Sequence, residues 1–153
     1  MTRTPASSPT LDSLAVGDVV VERSFVLDRG SMVRYAGASG DFNPIHYNDE
    51  FARSVGLDGV IAHGMLTMGT AISAVTEWTG DPAAVIEYGT RFTRPVPVPA
   101  LGEATIAVTA KVGAIDADAG TARIDLAVTL DGQAVLGRAR ATVRLPASAE
   151  HAA

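Results

Sequence analysis

Cysteine is absent from this chain of 153 residues, which removes disulfides, thiolate metal sites and cysteine nucleophiles together. Charge is scarce as well: 19% of the residues are charged, the formal net charge is -5, and lysine and arginine form no run. A nucleic-acid-binding protein would present a basic patch, so we expect no DNA or RNA partner. The first residues, MTRTPASSPTLDS, contain no apolar signal-peptide segment, and this predicts a cytoplasmic protein.

Long hydrophobic runs are also missing. The most apolar segment, Val60 to Thr76, is interrupted by glycine, serine and threonine and is shorter than the roughly 20 apolar residues that a membrane-spanning helix needs. It is more typical of a helix buried inside a globular protein. The length and the 47% hydrophobic content predict one domain, residues 13–146. The small and polar residues of 1–12 and 147–153 predict flexible tails.

Turn residues and hydrophobic periodicity divide the first half of the chain into short elements. The predicted elements are a strand over Val19–Val26, a short helix from Ser31 to Gly37, a loop over Gly37–Asn48, a helical turn or two over Asp49–Val55, and a long apolar helix from His63 to Trp78 that ends at Gly80, Asp81 and Pro82.

The second half of the chain alternates apolar and polar residues with a period of two, which predicts strands with one buried face. The dipeptide Asp131-Gly132 is typical of a two-residue hairpin turn leading into the last strand. One face of that strand is predicted to carry Val135, Gly137, Ala139, Ala141, Val143 and Leu145, and the opposite face carries Arg138, Arg140 and Arg144.

This order of elements predicts an α+β fold in which a largely antiparallel sheet wraps around the long helix, because only the strands are available to bury it. One small sheet leaves part of the helix uncovered and leaves edge strands unpaired. Pairing of two such domains would cover both, so we predict a dimer.

A compact polar cluster, Asp41-Phe42-Asn43-Pro44-Ile45-His46, lies between two helices and is the best candidate for chemistry. An imidazole titrates near neutrality, and a carboxylate can orient it or share proton transfers with it. Spacing alone equally allows Asx turns at Asp41 and Asn43 with a histidine that caps the next helix. A metal site is also conceivable but lacks a repeated ligand spacing, so we expect no metal; its ligands would be Asp41, His46 and Asp49 or Glu50.

Gly64 follows His63 at the start of the long helix, where free backbone N–H groups and the positive end of the helix dipole collect. A carbonyl oxygen can approach a glycine N–H closely, although Gly64 can equally serve only to start the helix under a crowded loop. We expect His63 to be structural, because its ring need not face the same cavity as His46. Several arginines can bind phosphate or simply cover a solvated strand face: Arg91, Arg94, Arg138, Arg140 and Arg144.

The segment YAGASGDFNPIHYNDEFARSVGLDGVIAHGMLTM, Tyr35 to Met68, resembles the signature of the MaoC-like (R)-specific enoyl-thioester hydratases and dehydratases. That signature is D-x-N-P-x-H followed at a short interval by A-H-G-M, and both parts stand here in order. The similarity extends through GDPAAVIEYGTRFTRPVPVP. Within the family, the chain is similar to the catalytic subunits of mycobacterial (3R)-hydroxyacyl-carrier-protein dehydratases.

The resemblance implies a single hot-dog fold, with Asp41 and His46 as the catalytic pair. It implies that Asn43 supports the loop and that Gly64 binds the substrate by donating its N–H to the thioester oxygen. We also predict that Arg138 and Arg140 bind the substrate. The implied reaction interconverts (3R)-hydroxyacyl and trans-2-enoyl thioesters without a metal or redox cofactor, with coenzyme A or phosphopantetheine as part of the substrate. The implied partner is a second copy or a related hot-dog subunit. A thioesterase or a non-catalytic acyl-binding subunit is the alternative.

Overall fold

The computed structural model describes residues 8–148, and these form one antiparallel sheet of five strands with helices on one side. The sheet order is β1-β3-β4-β5-β2, so that β1 and β2 are the edges. The strands are β1 Val19–Asp28, β2 Val85–Phe92, β3 Glu103–Asp116, β4 Thr121–Leu130 and β5 Gln133–Arg144. The helices are α1 Arg29–Ser39, α2 Asp49–Ser54 and α3 Gly64–Thr79. The predicted α+β class and antiparallel sheet are confirmed.

The central strands follow the predicted alternation. In β3 the buried side chains include Ile106 and Val108, and in β4 they include Ile124 and Val128, all at most 1% exposed. Both residues of the Asp131-Gly132 turn have positive φ, 49° and 75°, as a type I′ hairpin requires. This turn joins β4 to β5 where the sequence predicts it.

Helix α3 crosses the sheet and is bounded by His63 before its first residue and by Gly80 after its last, with Gly80 in the left-handed conformation. It buries one face, formed by Thr67, Ala71, Ala74, Val75 and Thr79. The rest of the helix is left uncovered, as expected for a single small sheet, and Met65 remains 56% exposed. Within residues 8–148, no helix is long and apolar enough to span a membrane.

The last strand departs from strict alternation. Arg138 has φ 51°, and the pairing of β5 with both neighbours shifts register around Gly137 and Arg138, which marks a β-bulge. Leu136 is consequently buried in place of Gly137, which is only half-buried. A second register shift, opposite Val128 and Thr129, leaves Val135 buried as well. The predicted apolar face is therefore right for Val135 and from Ala139 onwards, and wrong for Gly137.

The ends of two predicted segments also need correction. Thr10 and Leu11 are buried, and the Leu11 N–H donates to the Pro146 carbonyl, so this part of the predicted N-terminal tail packs on the domain. Residues 1–7 and 149–153 of the predicted tails lie outside the described residues. Helix α1 begins at Arg29, because the Asp28 carboxylate accepts the Ser31 N–H, and it runs to Ser39, so Gly37 is helical and not part of the loop.

Candidate active site

The loop between α1 and α2 is shaped by its own side chains. Gly40 ends α1 with φ 76°. The Asn43 side-chain oxygen accepts the Ile45 N–H at 3.2 Å and caps a 3-10 turn, Pro44–His46, whose first position is proline. The Asp41 carboxylate accepts the Asn43 N–H at 3.2 Å. The Asx turns at Asp41 and Asn43, predicted as the structural alternative to a catalytic role, are therefore present. The same turns also position His46.

His46 and Asp41 face each other across a short gap. His46 is 8% exposed, and its Nδ1 lies 2.8 Å from the Ile61 carbonyl oxygen. Because a carbonyl can only accept, Nδ1 carries the hydrogen and Nε2 presents its lone pair. Nε2 lies 3.9 Å from Asp41 Oδ2. This separation is too long for a direct hydrogen bond, yet a single oxygen atom can lie within hydrogen-bond distance of both groups.

His63 is part of the same cluster. Its ring is 1% exposed and stacks on the His46 ring with centroids 3.8 Å apart and an interplanar angle of 24°. Its Nε2 lies 3.1 Å from the Asp41 carbonyl oxygen. The sequence did not require this ring to lie near His46. The two rings meet because the chain returns to the loop at the residue before α3.

The first turn of α3 lies beside His46. No side chain caps this helix N-terminus, so the N–H groups of its first turn, which have no intrahelical acceptor, are available to a ligand. Gly64 is the first residue, and a Cβ there would lie 3.0 Å from Cε1 of Phe92. The lack of a side chain at Gly64 thus allows the Phe92 ring of β2 to pack against the helix start.

A cleft of about 280 Å³ joins His46 to the first turn of α3, and we call it the His46 cleft. Its lining combines the helix start with the ends of β2 and β5: His46, Ile61, Ala62, Gly64, Thr67, Phe92, Thr93, Arg94, Pro95, Val96, Val135 and Leu136. The sequence analysis did not predict that Phe92 and Leu136 line a site. The strand order brings both residues to the cleft, and the bulge in β5 turns Leu136 inward. Arg94 lines the cleft, whereas Arg138 and Arg140 are exposed and do not, and Arg140 lies 3.5 Å from Asp125.

Burial sets the electrostatics of His46. Desolvation lowers the pKa of His46 below its usual 6.5, and the neighbouring His63 lowers it further. The hydrogen bond to the Ile61 carbonyl and the Asp41 carboxylate act in the opposite direction, raising the pKa of His46, and are outweighed. His46 is therefore a neutral base at physiological pH, with its unprotonated Nε2 3.9 Å from Asp41 Oδ2.

Asp41, His46 and His63 bring one potential ligand atom each within 4.8 Å of one another, so a metal must be considered. The donor directions do not suit one. Imidazole lone pairs lie in the ring plane, and two nearly parallel stacked rings cannot both direct a lone pair at one ion roughly 2 Å away. Asp49, nominated earlier as a ligand, instead accepts two hydrogen bonds from Arg29, at 2.9 and 3.0 Å.

Comparison with known proteins finds relatives that are described as dehydratases or hydratases of acyl thioesters. The chain is 40% identical over 67 residues to 3-hydroxyacyl-thioester dehydratase X of Mycobacterium tuberculosis, a match covering 44% of this chain and 23% of that protein. It is 39% identical over 80 residues to the (R)-specific enoyl-CoA hydratase of Rhodospirillum rubrum, covering 51% of this chain and 55% of that one. The chain thus spans about a quarter to about half of these relatives' lengths.

A solved structure described as a MaoC-like dehydratase superposes with a TM-score of 0.87 at 38% sequence identity, covering 91% of this chain and 43% of that one. The sheet order and the helix across it therefore match a MaoC-like hot-dog fold, as the sequence resemblance implies. The family model of the MaoC-like domain matches residues 13–128, most of the chain. This protein belongs to the MaoC-like dehydratase family.

Proposed function

We propose that this protein adds water reversibly across the C2=C3 bond of trans-2-enoyl thioesters to give (3R)-3-hydroxyacyl thioesters. The observation that carries the proposal is the pair His46 Nε2 and Asp41 Oδ2, 3.9 Å apart, next to a helix N-terminus whose first residue is Gly64. The relatives, a 3-hydroxyacyl-thioester dehydratase and an (R)-specific enoyl-CoA hydratase, support the same reaction.

In the hydration direction, His46 and Asp41 hold one water molecule against C3. The water oxygen bonds to C3 while one of its protons passes to the His46–Asp41 pair. The C2=C3 electrons move toward the thioester carbonyl, and the N–H groups at the start of α3 stabilise the enolate oxygen that develops. The pair then returns a proton to C2, so the elements of water are added and no other reactant is consumed. Dehydration follows the same steps in reverse.

The thioester occupies the His46 cleft in this proposal. Its floor is apolar, with Val96, Val135 and Leu136 buried, which suits an acyl chain. Arg94 is part of the cleft lining, and its guanidinium suits the phosphates of coenzyme A or of phosphopantetheine. No metal or redox cofactor takes part, and treatment of the purified protein with a chelator is expected to leave the rate unchanged. A location in the cytoplasm stays a prediction of the sequence.

The test is the rate at which the purified protein consumes the conjugated double bond of short- and long-chain trans-2-enoyl-CoA. Asp41→Asn is expected to lower kcat by about two orders of magnitude or more, the usual loss for an acid-base group. Asp118→Asn is the matched control, because it removes the same charge from the exposed turn between β3 and β4. A wild-type rate in Asp41→Asn would contradict the proposal, and release of free thiol from the substrate would identify a thioesterase instead.

We further propose that the active form contains two hot-dog domains. The edge strand β2 and the start of α3 expose large apolar side chains beside the cleft, with Phe92 55% and Met65 56% exposed. A partner over this edge would cover them and complete the cleft. Light scattering of the purified protein is expected to give twice the chain mass for a homodimer. A monomer that gains activity only with a co-expressed hot-dog protein would identify a heterodimer.

A further inference from the structure

The contacts of His63, the second histidine of the site, indicate a role that the proposed reaction does not assign to it. We propose that His63 is a positioning residue that holds the backbone of Asp41 through a hydrogen bond and the ring of His46 through stacking, and so fixes the separation of the two catalytic groups. For its effect on turnover, this inference rests on the proposed hydratase function.

The hydrogen bond has a defined direction. The Asp41 carbonyl oxygen can only accept, so the hydrogen of the His63 ring lies on Nε2, 3.1 Å away. Among the described residues, the buried Nδ1 of His63 has no hydrogen-bond partner. A lone pair can be buried there at lower cost than an N–H group that lacks an acceptor. The surroundings of His63 therefore select one tautomer, and that tautomer holds the Asp41 backbone.

The stack fixes the second catalytic group. The His46 ring lies on one side of His63 with centroids 3.8 Å apart, and the Tyr35 ring packs against His63 at 4.8 Å with a tilt of 58°. His46 is thus held at its Nδ1 by the Ile61 carbonyl and across its face by His63. These two contacts leave Nε2 free and directed at Asp41.

The backbone of His63 links the pair to the helix start. His63 is the N-cap of α3, and its carbonyl accepts both the Thr67 N–H at 3.1 Å and the Thr67 hydroxyl at 3.3 Å. One residue therefore contacts the Asp41 backbone and the His46 ring and directly precedes Gly64. A displacement of about 1 Å between catalytic groups can cost on the order of a hundredfold in rate, which makes such a link consequential.

Two substitutions separate the two contacts. His63→Phe keeps a flat ring for stacking and loses the donor to Asp41. His63→Gln loses the ring and keeps an amide N–H that can reach the Asp41 carbonyl. We expect His63→Phe to lower kcat by about tenfold to a hundredfold with KM changed less than about threefold, and His63→Gln to lose less than His63→Phe. Equal rates for both variants and wild type would overturn the proposal, as would losses that only follow the folded fraction measured by circular dichroism.

A nuclear magnetic resonance measurement keeps the test independent of activity. The chain has three histidines, so ring ¹⁵N spectra of wild type, His46→Gln and His151→Gln assign every signal. Wild-type His63 is expected to carry its hydrogen on Nε2 with Nδ1 bare, and a signal from the opposite tautomer would overturn the proposal without any variant. The groups facing His46 that titrate are His63 and Asp41. The titration midpoint of His46 is expected to rise in both variants, because each removes the lowering effect of His63, and to rise further in His63→Gln, which also uncovers the His46 ring.

These readouts separate the two hypotheses. Suppose that the wild-type protein turns over no enoyl-CoA, either alone or with a co-expressed hot-dog protein, while the His63 tautomer and the His46 titration are as expected. This result contradicts the proposed function and leaves the positioning role intact. An active wild type whose His46 titration does not respond to His63→Gln contradicts the positioning role alone.

Discussion

The Phe92 ring packs against the first residue of α3, so closely that a Cβ on Gly64 would lie 3.0 Å from Cε1 and 3.1 Å from Cδ1 of that ring. Phe92 is 55% exposed, so the ring can move aside, although only by leaving this position at the mouth of the His46 cleft. The Phe92 ring therefore lies in the same small region beside Gly64 that an oxygen atom must enter to reach the helix N–H groups.

Gly64→Ala is expected to lower kcat/KM by about tenfold to a thousandfold, since the new methyl group and the displaced ring crowd the helix start where the enolate oxygen is stabilised. Gly37→Ala is the control, because Gly37 is an exposed helical glycine with nothing within 4 Å of a Cβ. It is expected to stabilise the protein by roughly 0.5–1 kcal/mol and to keep full activity. Steady-state kinetics and chemical denaturation of both variants provide the comparison. Full activity in Gly64→Ala would show that this N–H region does not contact the substrate.

The acid limb of the pH–rate profile is expected to lie below pH 6.5. Burial lowers the pKa of His46, so kcat/KM falls only when the pH drops through that lowered value and His46 takes up a proton. Stability follows the same sign: the unfolded chain binds the proton at a higher pH than the folded protein does, so folding weakens as the pH falls below 6.5.

Replacing Asp41 with asparagine provides the check on that limb. The Asp41 carboxylate raises the pKa of His46, so the His46 titration midpoint, followed by nuclear magnetic resonance, is expected to fall further in Asp41→Asn. A wild-type midpoint at or above 6.5 would mean that His46 is not held in the buried position described.

Asp49→Asn is expected to lower the melting temperature at neutral pH. The Asp49 carboxylate accepts two hydrogen bonds from Arg29 and one from the Val60 N–H at 3.0 Å, which ties together α1, α2 and the segment before α3. Glu50→Gln removes the neighbouring exposed charge and is expected to have little effect.

The effect of Asp49→Asn depends on pH in a known direction. The hydrogen bond from Arg29 lowers the pKa of Asp49 below 3.8, so the carboxylate contributes its stability above that pH and loses it as the pH falls through the lowered value. Thermal unfolding of both proteins across pH should show the difference from wild type closing in acid. A constant difference would assign the loss to packing alone.

The bulge in β5 predicts opposite responses at two neighbouring arginines. Arg138 adopts φ 51°, where glycine has no steric cost, so Arg138→Gly is expected to remain within about 0.5 kcal/mol of wild-type stability. Arg140 is an extended strand residue near Asp125, and Arg140→Gly is expected to cost about 1 kcal/mol or more in the unfolding free energy. Urea denaturation measures both.

The same two variants test the sequence-based assignment of these arginines to the substrate. Neither side chain lines the His46 cleft, so we expect KM for enoyl-CoA to be unchanged in both. An increase in KM would restore the assignment and would place the phosphates of the substrate on this face of the sheet.

The sequence by itself determined what depends on near neighbours along the chain. Asn43 and Asp41 accept N–H groups two residues ahead, Pro44 starts the turn, and Asp131-Gly132 makes the hairpin. Such contacts close within a few residues whatever the rest of the fold does. The loop that carries Asp41 and His46 and the alternation in β3 and β4 could be predicted for this reason. The resemblance to the family signature predicted the hot-dog fold.

Only the tertiary structure decided which distant side chains meet. The stack of His63 on His46 and the approach of Phe92 to Gly64 depend on where α3 crosses the sheet and on β2 being an edge strand. The bulge at Arg138, which turns Leu136 inward, interrupts a pattern that reads as regular alternation. Packing selects among conformations that the local sequence leaves nearly equal in energy, and so these contacts could not be predicted from periodicity or spacing.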